Sequence, residues 1–255
     1  MNETTHNEHL IEYVKRLADD ALILGHRISE WCSHAPFLEE DIALANVALD
    51  YIGRSRLYYQ YAAALIGDDT SEDDLAYMRD QRDFHNLLIV ELPRGNFAYS
   101  MVRQLIMDAY NTEYLDALRH SRDTTLAAIA EKASKETRYH LRRSRDWILR
   151  LGDGTPESHD KTQAALEELW GYTHELFDLD PVETALLEAG IAVDTPALKA
   201  RWLSTISTTL EAATLTLPED DWAVRGGRTG YHTENLGHLL TDMQSVHRAY
   251  PGQQW

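Results

Sequence analysis

The sequence predicts an all-α protein: a four-helix bundle core with additional C-terminal helices. Three observations point to it. Apolar residues recur at helical spacing along most of the chain, two long helical hairpins can be traced around residues 34 and 122, and no segment shows the alternation of a strand.

The clearest element begins at Leu38. Leu38, Ile42, Ala45, Leu49, Ile52, Tyr59, Ala63 and Ile66 form a bundle-type stripe interrupted by Arg56, and Leu44, Val47, Tyr51 and Tyr58 form a second face. A helix apolar on two sides is expected to pack within a bundle. Similar periodicity predicts helices over residues 9–31, 72–91, 98–120, 124–151, 157–177, 182–189, 196–214 and 233–250. Breaks fall at residues 33–36, 67–69, 93–96, 152–154 and 225–230, each carrying Pro or Gly. None is long enough to be a domain linker, so residues 9–255 read as one helical domain, and the segment 1–8 is expected to be a disordered extension. Pro181 and Pro196 suit the first turns of helices that wrap or extend the bundle. Thr233 is placed to cap the last helix, and the terminal Trp255 suggests docking onto another subunit.

With 42 acidic residues against 24 Lys and Arg, the formal charge of −18 disfavours nucleic acid or an anionic membrane as partner. The first nine residues lack the basic and apolar regions of a secretory signal, and no apolar run spans a bilayer, so a cytoplasmic protein is expected. A lone cysteine, Cys32, rules out a disulfide framework within the chain or a multi-cysteine metal site and reads as a buried or idle thiol.

One constellation merits a test. Di-iron helical bundles take one Glu from each of two helices and a Glu-x-x-His pair from each of the other two, all at one level. In an antiparallel hairpin, residues at one level lie equally far from the turn. Asp19 and Asp50 satisfy this for the first hairpin, and Asp108 and Glu136 for the second. All four sit roughly 20–23 Å from their turns at about 1.5 Å rise per residue, so they could converge in one layer. The histidines are missing, however. Gly53 stands three residues after Asp50 and Tyr139 three after Glu136, with His140 one place late. Three of the four acids are the shorter Asp, and iron sites of this class also use imidazole nitrogen. Two readings follow: a vestigial, structural layer without metal, or a site that itself holds metal through Asp19, Asp50, Asp108 and Glu136. Ordinary helical acids give the same pattern by chance, because roughly one residue in six is Asp or Glu. A converging layer without metal needs protons or cations, for which Arg54, Arg138, Arg143, His26 and His140 are available.

Hydrolase, zinc-protease and nucleotide-binding motifs are absent from the sequence. The loop Arg225-Gly226-Gly227-Arg228-Thr229-Gly230 could offer amides and two guanidiniums, Arg225 and Arg228, to an anion, although without a preceding strand it reads as a connector. His232, His238 and His247 do not share a helical face, so surface or capping roles are expected for them.

Longer stretches carry a resemblance. Residues 29–36 (SEWCSHAP), 43–46 (ALAN), 49–53 (LDYIG), 135–142 (KETRYHLR), 230–237 (GYHTENLG) and 251–255 (PGQQW) resemble the C subunits of bacterial phenylacetyl-CoA 1,2-epoxidases, and their spread extends the likeness over nearly the whole chain. The resemblance implies a ferritin-like fold and a non-catalytic chain supporting a homologous A subunit, which carries the di-iron site and binds phenylacetyl-CoA. It also implies contact with the small B subunit and homo- and hetero-oligomers. No cofactor is expected in this chain. The implied electron source is an NADPH-dependent reductase with FAD and a 2Fe-2S cluster. One departure is Gly53-Arg54-Ser55-Arg56, where family members often read Gly-Gln-Ala-Arg.

Overall fold

The computed structural model describes residues 3–253, and Trp255, with its expected docking role, lies outside them. Ten α-helices and no strand occur among the described residues. The core pairs two hairpins in ferritin-like fashion: α1 (Glu3–Ser29) with α2 (Leu38–Ile66), and α5 (Phe97–Leu118) with α6 (Thr124–Gly152). Local chemistry sets the ends of the core helices. Gly67 ends α2 in the left-handed region, its amide bonding the Ala63 carbonyl, and Asp123 caps α6 through the Thr125 and Leu126 amides. Trp31, in the first turn, donates to Ser100 Oγ at 2.9 Å and fixes one hairpin against the other.

The later helices wrap this core. α7 (Pro156–Trp170) and α9 (Thr195–Ala212) pack on α5 and α6, α8 (Pro181–Glu188) on α1, and α10 (Glu234–Ala249) on the short α3 (Glu72–Tyr77) and α4 (Leu88–Glu91). Pro156, Pro181 and Pro196 all lie in first turns, where a missing amide leaves no bond unmade. Trp202 of α9 stacks on Trp170 and donates to the Ile106 carbonyl at 3.1 Å, and one continuous apolar core includes residues of all ten helices.

Four sequence expectations are corrected. Residues 3–8 continue α1, where Asn7 bonds the Leu65 carbonyl beside the end of α2. The helix expected over 72–91 is broken after Tyr77. Its later amides leave the helical ladder because α1 supplies carboxylates to them: His85 N donates to Asp19 and Leu87 N to Asp20. Past Trp170, α7 tightens into a 3₁₀ turn at Gly171–Phe177, and Gly171 admits Trp222 so closely that a Cβ would lie 2.2 Å from its ring. Thr233 occupies the cap position of α10 without a side-chain cap bond, and its amide is taken by Glu91 instead. Cys32 is exposed and unpaired. Among the described residues no helix is long and apolar enough to cross a membrane.

Helix α2 also departs from expectation in how its faces are used. The face through Leu44, Val47, Tyr51 and Tyr58 is the buried one, and the stripe beginning Leu38, Ile42, Leu49 is open to solvent.

Candidate functional site

The four helices of the core carry every residue of the expected carboxylate layer, and the structure divides that layer into separate groups. Asp19 of α1 is fully buried and turned toward the segment after α3. Arg79 forms a two-nitrogen ion pair with it, Tyr59 donates to it at 2.5 Å and the His85 amide at 2.8 Å. Arg79 itself bonds the Asp83 carbonyl and lies 4.1 Å over the Phe84 ring, so the pair ties the 77–87 segment to the bundle. Burial lowers the Arg79 pKa, yet the charge and hydrogen bond of Asp19, with Tyr59 and the Glu12 charge, together outweigh it and hold the guanidinium above its ordinary range.

Asp108 of α5 forms the second group with Tyr51, His140 and Asp50. Tyr51 donates to Asp108 at 3.0 Å, its ring stacks on His140, and His140 Nε2 meets Asp50 at 2.9 Å. Burial raises the Asp108 pKa, with His140 and the Ser144 and Tyr51 hydroxyls opposing it. Burial likewise raises Tyr51, keeping the phenol protonated as a donor.

Glu136 stands apart from both groups. It borders an outer cavity of about 120 Å³ between α2 and α6, together with Asp50, Gly53, Arg54 and Lys132. A Cβ added at Gly53 would meet nothing within 4 Å, so the missing histidine is replaced by open space. Tyr139 is half exposed, edge-on to His140. Among the described residues no three His, Cys, Asp or Glu side chains assemble into a group able to hold a metal.

Two guanidiniums reach the bundle interior. A cavity of about 30 Å³ between α1, α2 and α5 is lined by Asp20, Arg54 and Arg228 among tyrosines 51, 58, 110 and 114. Arg54 is buried, lies 4.8 Å over the Tyr51 ring and donates to Thr137 at 2.9 Å. Arg228 pairs with Asp20 through two nitrogens at 2.8 and 3.1 Å. Burial raises Asp20 against the pull of Arg228 and the Leu87 amide, and the charges of Asp20 and Glu183 hold Arg228 well above its ordinary value despite its burial. A di-iron pair needs converging carboxylates and imidazoles. Two fixed guanidiniums beside the acids, and Asp19 and Asp108 already committed to internal donors, do not fit it.

The sequence placed Asp50 and His140 in one layer without pairing them, and it missed Asp20. Asp20 lies on the line of Tyr13, Leu17 and Leu24, which are core residues of α1, and that position was the available signal. Of the expected neutralising groups, His140 pairs with Asp50 and Arg54 lines the cavities beside Asp20, Asp50 and Glu136 while bonding Thr137, whereas Arg143 pairs with Glu40, Arg138 is exposed, and His26, its pKa lowered by burial, lies elsewhere.

The glycine loop is also spoken for. Arg225 pairs with Asp178 and Arg228 with Asp20, while the Gly226 and Gly227 amides donate to Glu175 at 2.9 and 2.8 Å. The anion that its glycine amides hold is a carboxylate of its own chain. Gly227 approaches Asn86 so closely that a Cβ would stand 2.1 Å from its carbonyl oxygen. His232, expected at the surface, is fully buried between Glu91 and the Phe84 carbonyl.

A family model described as phenylacetic acid catabolic protein matches residues 1–255. The C subunit of the 1,2-phenylacetyl-CoA epoxidase of Escherichia coli K12 is 49% identical over 246 residues, covering 96% of this chain and 99% of that protein. Matched over its whole length by that family model, and almost end to end by that relative, the chain belongs to the phenylacetic acid catabolic protein family.

Proposed function

We propose that the chain is the non-catalytic structural subunit of a cytoplasmic phenylacetyl-CoA 1,2-epoxidase, supporting a di-iron A subunit. Its relative is named as the C subunit of that enzyme. The observation that carries the reading is the use of the acids: Asp19, Asp50 and Asp108 are each bonded to the chain's own donors, with Arg54 and Arg228 between the helices. In this reading the di-iron centre belongs to the A subunit and FAD, 2Fe-2S and NADPH to the reductase. The small B subunit is a further partner.

Purification of the chain from iron-rich medium is expected to give well under one iron per chain. Two tightly held irons per chain would overturn the reading in favour of a metal-holding oxygenase. A second expectation concerns turnover in the assembled enzyme. Asp50→Asn and Glu136→Gln are expected to leave phenylacetyl-CoA-dependent NADPH consumption within about tenfold of wild type, equivalent to about 1.4 kcal/mol of barrier. A catalytic ligand would lower kcat and kcat/KM together by far more, so an intact complex with a thousandfold loss moves these residues into the active site.

A further inference from the structure

Among the described residues Arg16, Arg27, Arg54 and Arg103 are the buried arginines. Arg16 pairs with Glu12 and Asp180, Arg27 pairs with Glu30, and Arg103 donates to the Leu92 and Pro93 carbonyls. Arg54 is the exception. It is 5% exposed, its Nη2 donates to the neutral Thr137 hydroxyl at 2.9 Å, and among the described residues it forms no ion pair and its Nε has no hydrogen-bond partner. A desolvated cation needs acceptors or a counter-charge, and the Thr137 hydroxyl supplies only one acceptor.

Arg54 borders the inner cavity of about 30 Å³, where further donors stand ready. Tyr58 and Tyr110 line the same space, both buried, and neither hydroxyl is hydrogen-bonded among the described residues. Burial pushes Tyr58 up to about 12 and Tyr110 well above the usual phenol value, so both keep their protons and can donate. The acids around them are already engaged. Both oxygens of Asp20 are taken by Arg228, one of them also by the Leu87 amide. Asp108 accepts from Tyr51, Asp50 meets His140, and Glu183 accepts the Asp180 amide at 3.3 Å, while burial raises the pKa of Asp108 and of Glu183. Glu136 borders the outer cavity, where Lys132 faces it.

We propose that the inner cavity binds one halide ion of chloride or bromide size, held by Arg54 Nε and by the Tyr58 and Tyr110 hydroxyls. The surplus groups are donors, which selects an acceptor and rules against a cation. Size selects among acceptors: about 30 Å³ is room for a single small ion, since roughly 10–15 Å³ suffices for one water, and a tetrahedral oxyanion does not fit. A water molecule would meet the donors but leave the Arg54 charge unanswered, whereas a halide answers both, as Asp20 does for Arg228. Arg54 also borders the outer cavity of about 120 Å³ between α2 and α6, the side from which an ion reaches it.

The test uses the full chain, with chloride, bromide and gluconate as sodium salts at one ionic strength. Titrating chloride in place of gluconate is expected to raise the wild-type Tm, by roughly 3–6 °C at ten times the half-saturating concentration, the shift one filled site gives a chain of this size. Arg54→Gln keeps an amide donor without the charge and is expected to abolish the halide-specific shift. Tyr58→Phe is expected to raise the half-saturating concentration about tenfold. General salt effects on stability move wild type and variants alike. Crystals of the wild type grown in bromide are expected to show an anomalous peak in the inner cavity beside Arg54. Equal melting in chloride and gluconate, with water alone in the cavity, would overturn the halide site. So would bromide found only at the surface, or a folded Arg54→Gln chain that keeps the full shift. If Arg54→Gln does not fold, the bromide peak and the Tyr58→Phe titration decide the matter.

Discussion

Replacing Arg79 with Met is expected to lower folding stability by about 3–5 kcal/mol, because it strands the Asp19 carboxylate in the interior without its cation. Asp19 is fully buried, and Tyr59 and the His85 amide alone do not neutralise a charge there. For a chain of this size the loss corresponds to a fall in Tm of roughly 6–20 °C, at about 2–4 °C per kcal/mol. The double change Asp19→Asn with Arg79→Met removes both charges and is expected to recover at least half of the loss, since exchanging a buried pair for neutral groups is often close to neutral. Thermal and urea unfolding of the wild type, both single variants and the double variant reads this directly. An Arg79→Met chain within 1 kcal/mol of wild type would show that Asp19 does not depend on its partner.

This ion pair also shows why the carboxylate layer was only partly legible in the sequence. Symmetry about the hairpin turns selects residues at equal height, but it does not select the direction in which they point. Asp19 and Asp20 are neighbours, about 100° apart around α1. Asp19 turns to Arg79 outside the bundle, whereas Asp20 lines the interior cavity with Arg54 and Arg228. The partners of both come from far along the chain, and nothing local to α1 announces them. The same long-range bonds defeated the single helix expected over 72–91, because the amides that leave its ladder are claimed by α1. Elements whose fate is decided by their own periodicity were readable: both hairpins, the proline-started helices α7, α8 and α9, and the final helix α10.

Helix α2 gives the complementary lesson. Its two apolar faces were visible in the sequence, but periodicity cannot say which partner covers which face. The core of this chain covers Leu44, Val47, Tyr51 and Tyr58, and leaves Leu38, Ile42 and Leu49 outside. Periodicity records every apolar face alike, and only the folded chain separates those covered internally from those left at the surface.

The second large effect is expected at His232. Both ring nitrogens face acceptors, Glu91 Oε2 at 2.7 Å and the Phe84 carbonyl at 2.7 Å, so both must carry protons and the imidazole is held as a cation. Its pKa follows the geometry: burial lowers it, but the Glu91 bond and charge prevail and raise it above the ordinary 6.5. Glu91 is fully buried and also receives the Asn86 side chain and the Thr233 amide, so this one carboxylate joins α4 to the start of α10. His232→Ala leaves that carboxylate short of its cation and is expected to cost about 3–5 kcal/mol at pH 6. A group whose folded pKa is raised contributes its full stabilisation below the unfolded value and loses it as pH rises through the folded value. The stability gap between wild type and His232→Ala should therefore be constant below about pH 6.5 and narrow above it. Urea unfolding of both proteins at a series of pH values measures the gap. If it stays the same up to pH 9, His232 is neutral in the fold, and its bond to Glu91 is an ordinary hydrogen bond without a charge on the ring.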